Sequence, residues 1–487
     1  MKRAAAATLL AAASLLASLP AAAQSVRVSG VSTVQYVSAR ALREDSVPIA
    51  ETVGEGVLRY TADGAAVRCL DETAACRFLE PGRVLHALPL TQDVAIAGWG
   101  FGRGVRLQAQ FRFRPASPGD AELWPRAEDR FDALEAYLEI ARSYGRLRLG
   151  RQWQSSGLGT YSYDGASLQL RRRGASLDIY GGWSLVRGLS EPVTSAALAS
   201  VEPFAPEARA VLLGSRFQLR LSPAAGGSIT YQREIRSDRL ALYSERFSSD
   251  ASYRTSRWTI AAATDADLAT RVLNHLRLQA NARPRPDLEV ELFARRYRPY
   301  FDLWTIWGAF APVGFSEIGG GASLAPLAWP LAVSLDAASR RYAETDARLT
   351  FAPLRDTGWR LGTTVSSRWE SPWSASLRYA ADVGFGAARN EISLRLQRLL
   401  EGGGRIGAHG TVFDRASDYQ LTDGVVLGGG VEAAWPLLPA LRASGRLLAY
   451  RHLGANPATG PDWTQLRGML QLEWTLGSEP GLAGGAR

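Results

Sequence analysis

Residues 105–114 read V-R-L-Q-A-Q-F-R-F-R, so apolar and polar side chains alternate over ten positions. Successive side chains of a β-strand point to opposite faces, which would give this segment one apolar and one polar face. The polar face would carry Arg106, Gln108, Gln110, Arg112 and Arg114. Because about ten residues suffice to cross a bilayer as a tilted strand, the stretch predicts a membrane-spanning strand with a lipid side and a wet side.

The same alternation recurs at residues 166–171, 217–221, 392–396 and 470–475. Short Gly-, Pro- or Asp-containing breaks join many such segments, longer connections lie between them, and aromatic residues gather near segment ends. This rhythm is typical of outer-membrane barrels. The sequence therefore predicts an all-β fold, a transmembrane antiparallel β-barrel of roughly 22 strands, with about 18 to 24 allowed. A soluble β-sandwich, which also alternates, is the alternative.

The N-terminus predicts export. Lys2 and Arg3 precede an apolar run, and Ala21, Ala22 and Ala23 form a small-residue cleavage site before Gln24, so residues 1–23 are predicted to be a cleaved signal peptide. No later stretch reaches the ~18–20 apolar residues of a spanning helix. We expect a barrel over residues 24–476, a flexible tail over residues 477–487, and a place in the cell outer membrane in contact with its lipid.

Arginine supplies nearly all the positive charge. The 487 residues carry a formal net charge of +9, and Lys2 is the sole lysine. The arginines are dispersed along the segments and do not form one patch, which argues against a nucleic-acid partner.

Two cysteines lie in a long, acid-rich segment, residues 41–91. In an exported protein, Cys69 and Cys76 predict a local disulfide. The segment itself is expected to be an ordered loop or a partial plug of the lumen, because connections this long are usually functional or disordered. The cysteine spacing matches neither a metal nor a haem motif, and no cofactor or metal is predicted.

One region resembles a known family. Residues 136–152 read as strand, tight turn and strand ending in G-R-Q, and residues 164–166 read D-G-A at the next strand. This order resembles porins, particularly the alginate-export-type barrels, over residues 135–183. The resemblance implies that basic residues at these positions line a channel. In that family an arginine-rich lumen passes an acidic polysaccharide.

Eight arginines are predicted to face the lumen. In a water-filled pore, arginines raise the local concentration of anions and can form two parallel hydrogen bonds to a carboxylate or phosphate group. The alternative is that they are solvated residues balanced by acids such as Glu139 and Glu291. The predicted lumen-lining residues are Arg106, Arg112, Arg114, Arg148, Arg151, Arg171, Arg220 and Arg395.

Residues 295–310 are dense in aromatic side chains. They would form either a constriction or sugar-stacking platform, or an interfacial girdle with a loop packed on itself. The predicted aromatic loop residues are Tyr297, Tyr300, Phe301, Trp304 and Trp307.

The leading functional hypothesis is a porin or exporter that passes small or anionic solutes or oligosaccharides, and is not an enzyme. A second hypothesis is a structural sleeve that holds a periplasmic or cell-surface protein, such as a multihaem cytochrome, across the membrane. A third is a hydrolase at the barrel rim that uses His86 or His409. No catalytic residue is predicted, because the four histidines lie on separate segments and no G-x-S-x-G elbow is present.

Overall fold

The computed structural model describes residues 25–55, 58–62, 66–69, 75–115, 130–185, 210–237, 240, 242–298, 314–326, 328–343, 356–367, 372–384, 387–416, 424–454 and 463–477. The predicted signal peptide, residues 1–23, and residues 478–487 of the predicted tail lie outside this part. The N-terminal strands are β1 (Ser25–Pro48), β2 (Val53–Glu55), β3 (Leu58–Tyr60), β4 (Ala66–Cys69), β5 (Ala75–Ala87), β6 (Leu90–Trp99), β7 (Val105–Phe113), β8 (Phe131–Arg142), β9 (Gly145–Ser156), β10 (Gly159–Arg172), β11 (Ala175–Leu185), β12 (Ala210–Arg220) and β13 (Ala225–Arg236). A 3-10 helix (Ile49–Glu51) follows β1.

The chain continues in the same way to its last described residues. The C-terminal strands are β14 (Leu242–Arg254), β15 (Trp258–Asp267), β16 (Val272–Arg285), β17 (Leu288–Tyr297), β18 (Phe315–Leu324), β19 (Leu331–Tyr342), β20 (Thr357–Ser367), β21 (Trp373–Gly384), β22 (Ala387–Leu399), β23 (Arg405–Ala416), β24 (Gly424–Leu438), β25 (Leu441–Gly454) and β26 (Trp463–Leu476).

The sheet closes on itself. Strand β1 pairs with β6 on one side and with β26 on the other, from Val28 opposite Leu476 to Val37 opposite Arg467. From β6 onward each strand pairs with the next, and every pair is antiparallel. Strands β1 and β6 to β26 therefore form a closed 22-stranded barrel. The predicted barrel and its strand number are confirmed.

The outward face is apolar. Leucine, isoleucine, valine and phenylalanine side chains are exposed at alternating positions, for example Leu168 and Leu170, Ile392 and Leu394. A patch this large on a soluble protein would be costly, whereas hydrocarbon covers it without loss. The protein lies in the cell outer membrane. Within the described residues, no helix is long and apolar enough to cross a membrane.

The two ends of the barrel differ. The N-terminus of β1 and the C-terminus of β26 lie at the same end, where consecutive strands are joined by two to six residues, such as residues 143–144 and 439–440. The connections at the opposite end include residues 114–130 and 186–209. Short turns of such barrels face the periplasm, so we call the first end the inner end and the other the outer end.

The structure differs from the expectation of a loop over residues 41–91. Strand β1 continues past the barrel, and its second half pairs with β5 from Val37 opposite Ala87 to Pro48 opposite Ala75. Strand β4 pairs with β5, β3 pairs with β4, and β2 pairs with β3. Residues 37–87 thus include a five-stranded outgrowth at the outer end, the rim sheet. A plug role for the segment stays a prediction.

The predicted disulfide is confirmed: Cys69 of β4 and Cys76 of β5 are directly opposite in register and bonded. We expect the double variant Cys69→Ser/Cys76→Ser to loosen the rim sheet, since a native disulfide contributes about 2–4 kcal/mol. Limited proteolysis should cut the variant within residues 53–87 and leave the barrel intact. Cleavage equal to that of the wild type would show that the disulfide is not needed there.

Candidate functional site

The inward face of the barrel carries arginines gathered around buried carboxylates. On β8, the Glu139 side chain is 3 % exposed and faces three guanidiniums. Arg106 donates to it through Nη2 at 3.0 Å and has its Nε 2.8 Å away, Arg148 donates through Nε at 2.7 Å, and Arg146 lies 3.6 Å away. The buried Glu135 also interacts electrostatically with Arg106 and Arg148. Because three guanidiniums meet two carboxylates, this Glu139 cluster keeps a net positive charge.

A second cluster of three arginines lies around Glu317 of β18, whose side chain is fully buried. Arg295 of β17 forks onto it at 3.1 and 3.2 Å, Arg340 of β19 also binds it, and Arg360 of β20 lies 3.4 Å away. The Nη1 of Arg340 in turn donates to both carboxylate oxygens of Asp382, at 2.9 and 3.0 Å. Forked guanidinium–carboxylate pairs fix geometry as well as charge, so this Glu317 cluster is a rigid part of the wall.

The two clusters lie on opposite sides of the barrel, Glu139 nearer the inner end and Glu317 nearer the outer end. Ten strand steps separate β8 from β18 in one direction and twelve in the other. Positive charge is therefore present on both walls. The lumen of a barrel this large is too wide for side chains alone to fill, so these charges border water.

The structure places the other predicted arginines as follows. Arg112 forks onto Asp93 at 2.7 and 2.9 Å, and Arg151 forks onto Asp164 at 2.7 and 2.8 Å. Arg171, Arg220 and Arg395 lie on the strand face opposite the exposed apolar side chains, and Arg114 follows the last residue of β7. The predicted arginines are thus distributed over several strands, and only Arg106 and Arg148 belong to one cluster.

The β9–β10 hairpin bends into the barrel. Its tip, residues 153–161, contacts inward-facing side chains of β12 and β14, far along the chain. Arg216 donates to the Ser155 carbonyl at 3.1 Å, and Arg246 donates to the Leu158 carbonyl at 3.1 Å. Arg216 and Ser248 are level with Thr230, in the middle of β13. The tip therefore reaches halfway down this wall and narrows the lumen.

The base of the bend carries the motif that resembles porins. Gly150 faces Gly165 across β9 and β10, and Arg151 faces Asp164 beside them. Gly150 has φ +126°, and a Cβ on Gly165 would collide with the Gly181 carbonyl. Glycine is required where backbones approach so closely or take such a φ. The glycines thus permit the bend, and the Arg151–Asp164 ion pair lies at its base.

A small apolar core holds the hairpin against the wall. Tyr163 and Leu212 are fully buried, and the Tyr163 ring lies 5.7 Å from that of Tyr180. Gln152 is also buried; its amide donates to the Gly165 carbonyl at 3.3 Å and accepts from Ser167 at 2.7 Å. Burying one large apolar side chain contributes about 1.5–3 kcal/mol, and this contribution favours the bent position of the hairpin.

Arg246 connects the tip to the wall. Its side chain is buried; besides the Leu158 carbonyl, it contacts the Tyr161 hydroxyl and forms an ion pair with Asp265. Hydrogen bonds that involve a charged group contribute about 1.5–3 kcal/mol each. Arg246 is therefore a principal anchor of the constriction.

Of the predicted aromatic loop, Tyr300, Phe301, Trp304 and Trp307 lie outside the described residues. Tyr297 ends β17 and packs against Phe315, at 5.6 Å between ring centroids. Phe315 in turn lies 5.0 Å from the guanidinium carbon of Arg295, which belongs to the Glu317 cluster. The structure thus joins one residue of the predicted aromatic group to the arginines of the wall.

Sequence reasoning missed several members of this site. Arg146, Arg295, Arg340 and Arg360 lie on inward faces, and Arg246 anchors the hairpin tip. Strand alternation would have found Arg340 and Arg360 only with exact strand limits, because a one-residue slip exchanges the two faces.

The histidines of the rim-enzyme hypothesis lie apart from one another. His86 hydrogen-bonds the Tyr36 hydroxyl through Nδ1 at 2.8 Å, and His409 is opposite Arg395 in register. In the described ranges, no group of three or more His, Cys, Asp or Glu side chains is placed to hold a metal ion.

No family model matches the chain, and no curated protein matches it either. The narrower assignment to alginate-export-type barrels therefore stays a prediction. Among solved structures, the chain is similar to Pseudomonas aeruginosa OccK8 (OprE), at 6 % identity and TM-score 0.42, with 94 % of this chain and 99 % of that chain covered.

Acinetobacter baumannii OccAB4 is similar at 10 % identity and TM-score 0.40, over 94 % of this chain and 100 % of that chain. Pseudomonas aeruginosa OccK2 (OpdF), solved in complex with glucuronate, is similar at 9 % identity and TM-score 0.40, over 93 % and 98 %. These similarities are too low to transfer any site residue to this chain.

Proposed function

We propose that the protein is an outer-membrane channel that passes small anionic solutes. The observation that carries the proposal is the excess of guanidinium over carboxylate groups at Glu139 and Glu317, on opposite walls of one lumen. A passing anion would meet positive potential on both sides, and low-dielectric walls focus such a field.

The constriction would supply selectivity by size. The hairpin tip brings backbone and the half-exposed Trp153 side chain towards the centre of the barrel. A solute would pass between this tip and the rest of the barrel wall, which carries Arg340 and Arg360. Arginines already paired to carboxylates attract a passing anion without binding it tightly, which a conducting pore requires.

Single-channel recording in planar bilayers tests this proposal. With a KCl gradient across the bilayer, we expect a reversal potential that shows preference for chloride over potassium. The charge-removing variant Arg340→Gln/Arg360→Gln should lower this preference. The control is Arg283→Gln/Glu289→Gln, which leaves the net charge unchanged. It removes an exposed ion pair of 2.8 Å near the inner end. Absence of conductance, or preference for potassium, would refute the proposal.

A further inference from the structure

A polar cavity of about 790 Å³ lies at the inner end, below the hairpin tip, between the ends of β10 and β14. Among the described residues, six arginines line it, and Asp250 supplies the single carboxylate. These arginines are Arg171, Arg172, Arg173, Arg216, Arg220 and Arg254. We call it the inner-mouth cavity.

The strand register explains why these side chains meet. Arg171 is opposite Ser176, which is opposite Gln218, which is opposite Ser228 on the next strand. All four therefore lie at one level on the inward face. Arg220 lies two residues beyond Gln218, towards the inner end. Strands are about 4.8 Å apart, so Arg171 on β10 and Arg220 on β12 are two strand spacings apart, roughly 10 Å measured across the strands.

The arginines of the inner-mouth cavity differ from those of the Glu139 and Glu317 clusters in how they are paired with carboxylates. At Glu139 and Glu317, each arginine pairs with a buried carboxylate. Within the described part of the chain, no ion pair joins Arg171, Arg220 or Arg254 to a carboxylate. Asp250 hydrogen-bonds the Ser228 hydroxyl. Guanidiniums without a carboxylate partner keep their forked donors available for a ligand.

The lining also limits the kind of ligand. Serine hydroxyls and the Gln218 amide lie among the arginines, and none of the described residues that line the cavity is aromatic. An aromatic ring of a ligand would find no ring to stack on. A monovalent anion would engage only one guanidinium fork, whereas an anion with two or three acidic groups would engage guanidiniums from neighbouring strands together.

We propose that the inner-mouth cavity is a binding site for a compact multivalent anion, either a di- or tricarboxylate or a condensed phosphate. This inference rests on the proposed channel function and adds a site to it. The attracting clusters would draw anions through the constriction. The inner-mouth cavity would hold a multivalent anion before release at the periplasmic end, so the cavity would set which anions the channel retains.

The experiment measures block of the chloride current in planar bilayers with the full-length protein. Citrate and pyrophosphate are added to each side in turn, and acetate is the monovalent reference. We expect citrate, pyrophosphate or both to block from one side at concentrations at least about tenfold below acetate, because one additional charged hydrogen bond is enough for a factor of about ten in affinity. Which of the two blocks more strongly identifies the carboxylate or the phosphate source.

Variants locate the site. Arg171→Gln/Arg220→Gln should weaken the block by about tenfold or more. Arg395→Gln/Arg405→Gln removes the same charge from the inward face of β22 and β23 and should leave the block nearly unchanged. Equal loss in both variants would refute a localised site and indicate only a general positive potential.

The wild-type comparison does not depend on how well a variant folds. If acetate blocks as strongly as citrate and pyrophosphate, the inference fails. If the channel prefers chloride but none of the multivalent anions blocks it, the inference fails and the channel proposal stands. Preference for potassium would instead refute the channel proposal itself.

Discussion

Replacing Arg246 with methionine is expected to release the hairpin tip from the wall and to raise the single-channel conductance. The substitution removes the donors to the Leu158 carbonyl and the Tyr161 hydroxyl, at about 1.5–3 kcal/mol for each hydrogen bond. Without them, the apolar packing of Tyr163 remains but the tip has lost its deepest attachment. Planar bilayer recordings should show larger and noisier open-channel currents.

The same substitution leaves Asp265 without its cation, and breaking one side of a buried ion pair costs about 3–5 kcal/mol. The double variant Arg246→Met/Asp265→Asn separates this cost from the loss of the anchor. Arg277→Met, on the inward face of β16, removes a lumen arginine for which no contact with the tip is found in the described residues. It should leave conductance close to that of the wild type. A quiet, wild-type-like current from the double variant would contradict the anchoring role.

Replacing Glu317 with glutamine is expected to destabilise the barrel. Arg295, Arg340 and Arg360 would then face one another around a neutral amide, and loss of one buried partner costs about 3–5 kcal/mol. The measurement is the urea concentration at the midpoint of unfolding in detergent. Unfolding is monitored by the difference in electrophoretic mobility between folded and unfolded barrels.

Glu289→Gln is the matched control for this variant, since its ion pair with Arg283 is exposed and contributes about 0–1 kcal/mol. Adding Arg295→Gln to Glu317→Gln should recover part of the lost stability, because it removes one of the three repelling charges. If the Glu317 variant unfolds at the same urea concentration as the control, Glu317 is not what holds the three arginines together.

The outward face was predictable from the sequence because lipid imposes one rule on every strand. Alternation in residues 105–114 and 392–396 follows from burial of every second side chain in hydrocarbon, and the structure has strands there. The strand number followed from the same rhythm. A local alternation of apolar and polar residues was sufficient to predict the strands whose outward side chains all face lipid.

The inward face was harder to predict, because its partners are distant in sequence. Leu158 and Arg246 are 88 residues apart, and nothing in either segment indicates that they meet. The inward side of β14 presents Ser244, Ser248 and Asp250 besides Arg246, small polar residues that fit either a loop or a wet wall. Which arginines share a carboxylate depends on register between strands, and a sequence alone does not give that register.

The rim sheet was missed for a different reason. Residues 41–91 combine acids, turn residues and cysteines, which are typical of a loop. Their strands are stabilised by pairing with the far half of β1 and by the disulfide, not by an alternating face in lipid. The alternation rule therefore did not apply there.

The pairing of β1 with β26 has a consequence for how the barrel is made. Val28 and Leu476 meet only when almost the whole chain is available, so closure is the contact of greatest sequence separation and must come late. Until then the edges of both strands and the apolar outer face are open to pairing with other chains. Strand β1 can meanwhile be ordered locally, because β5 and β6 follow it within the first hundred residues. The edge of β1 is thus ordered early in folding, and its partner strand β26 becomes available last.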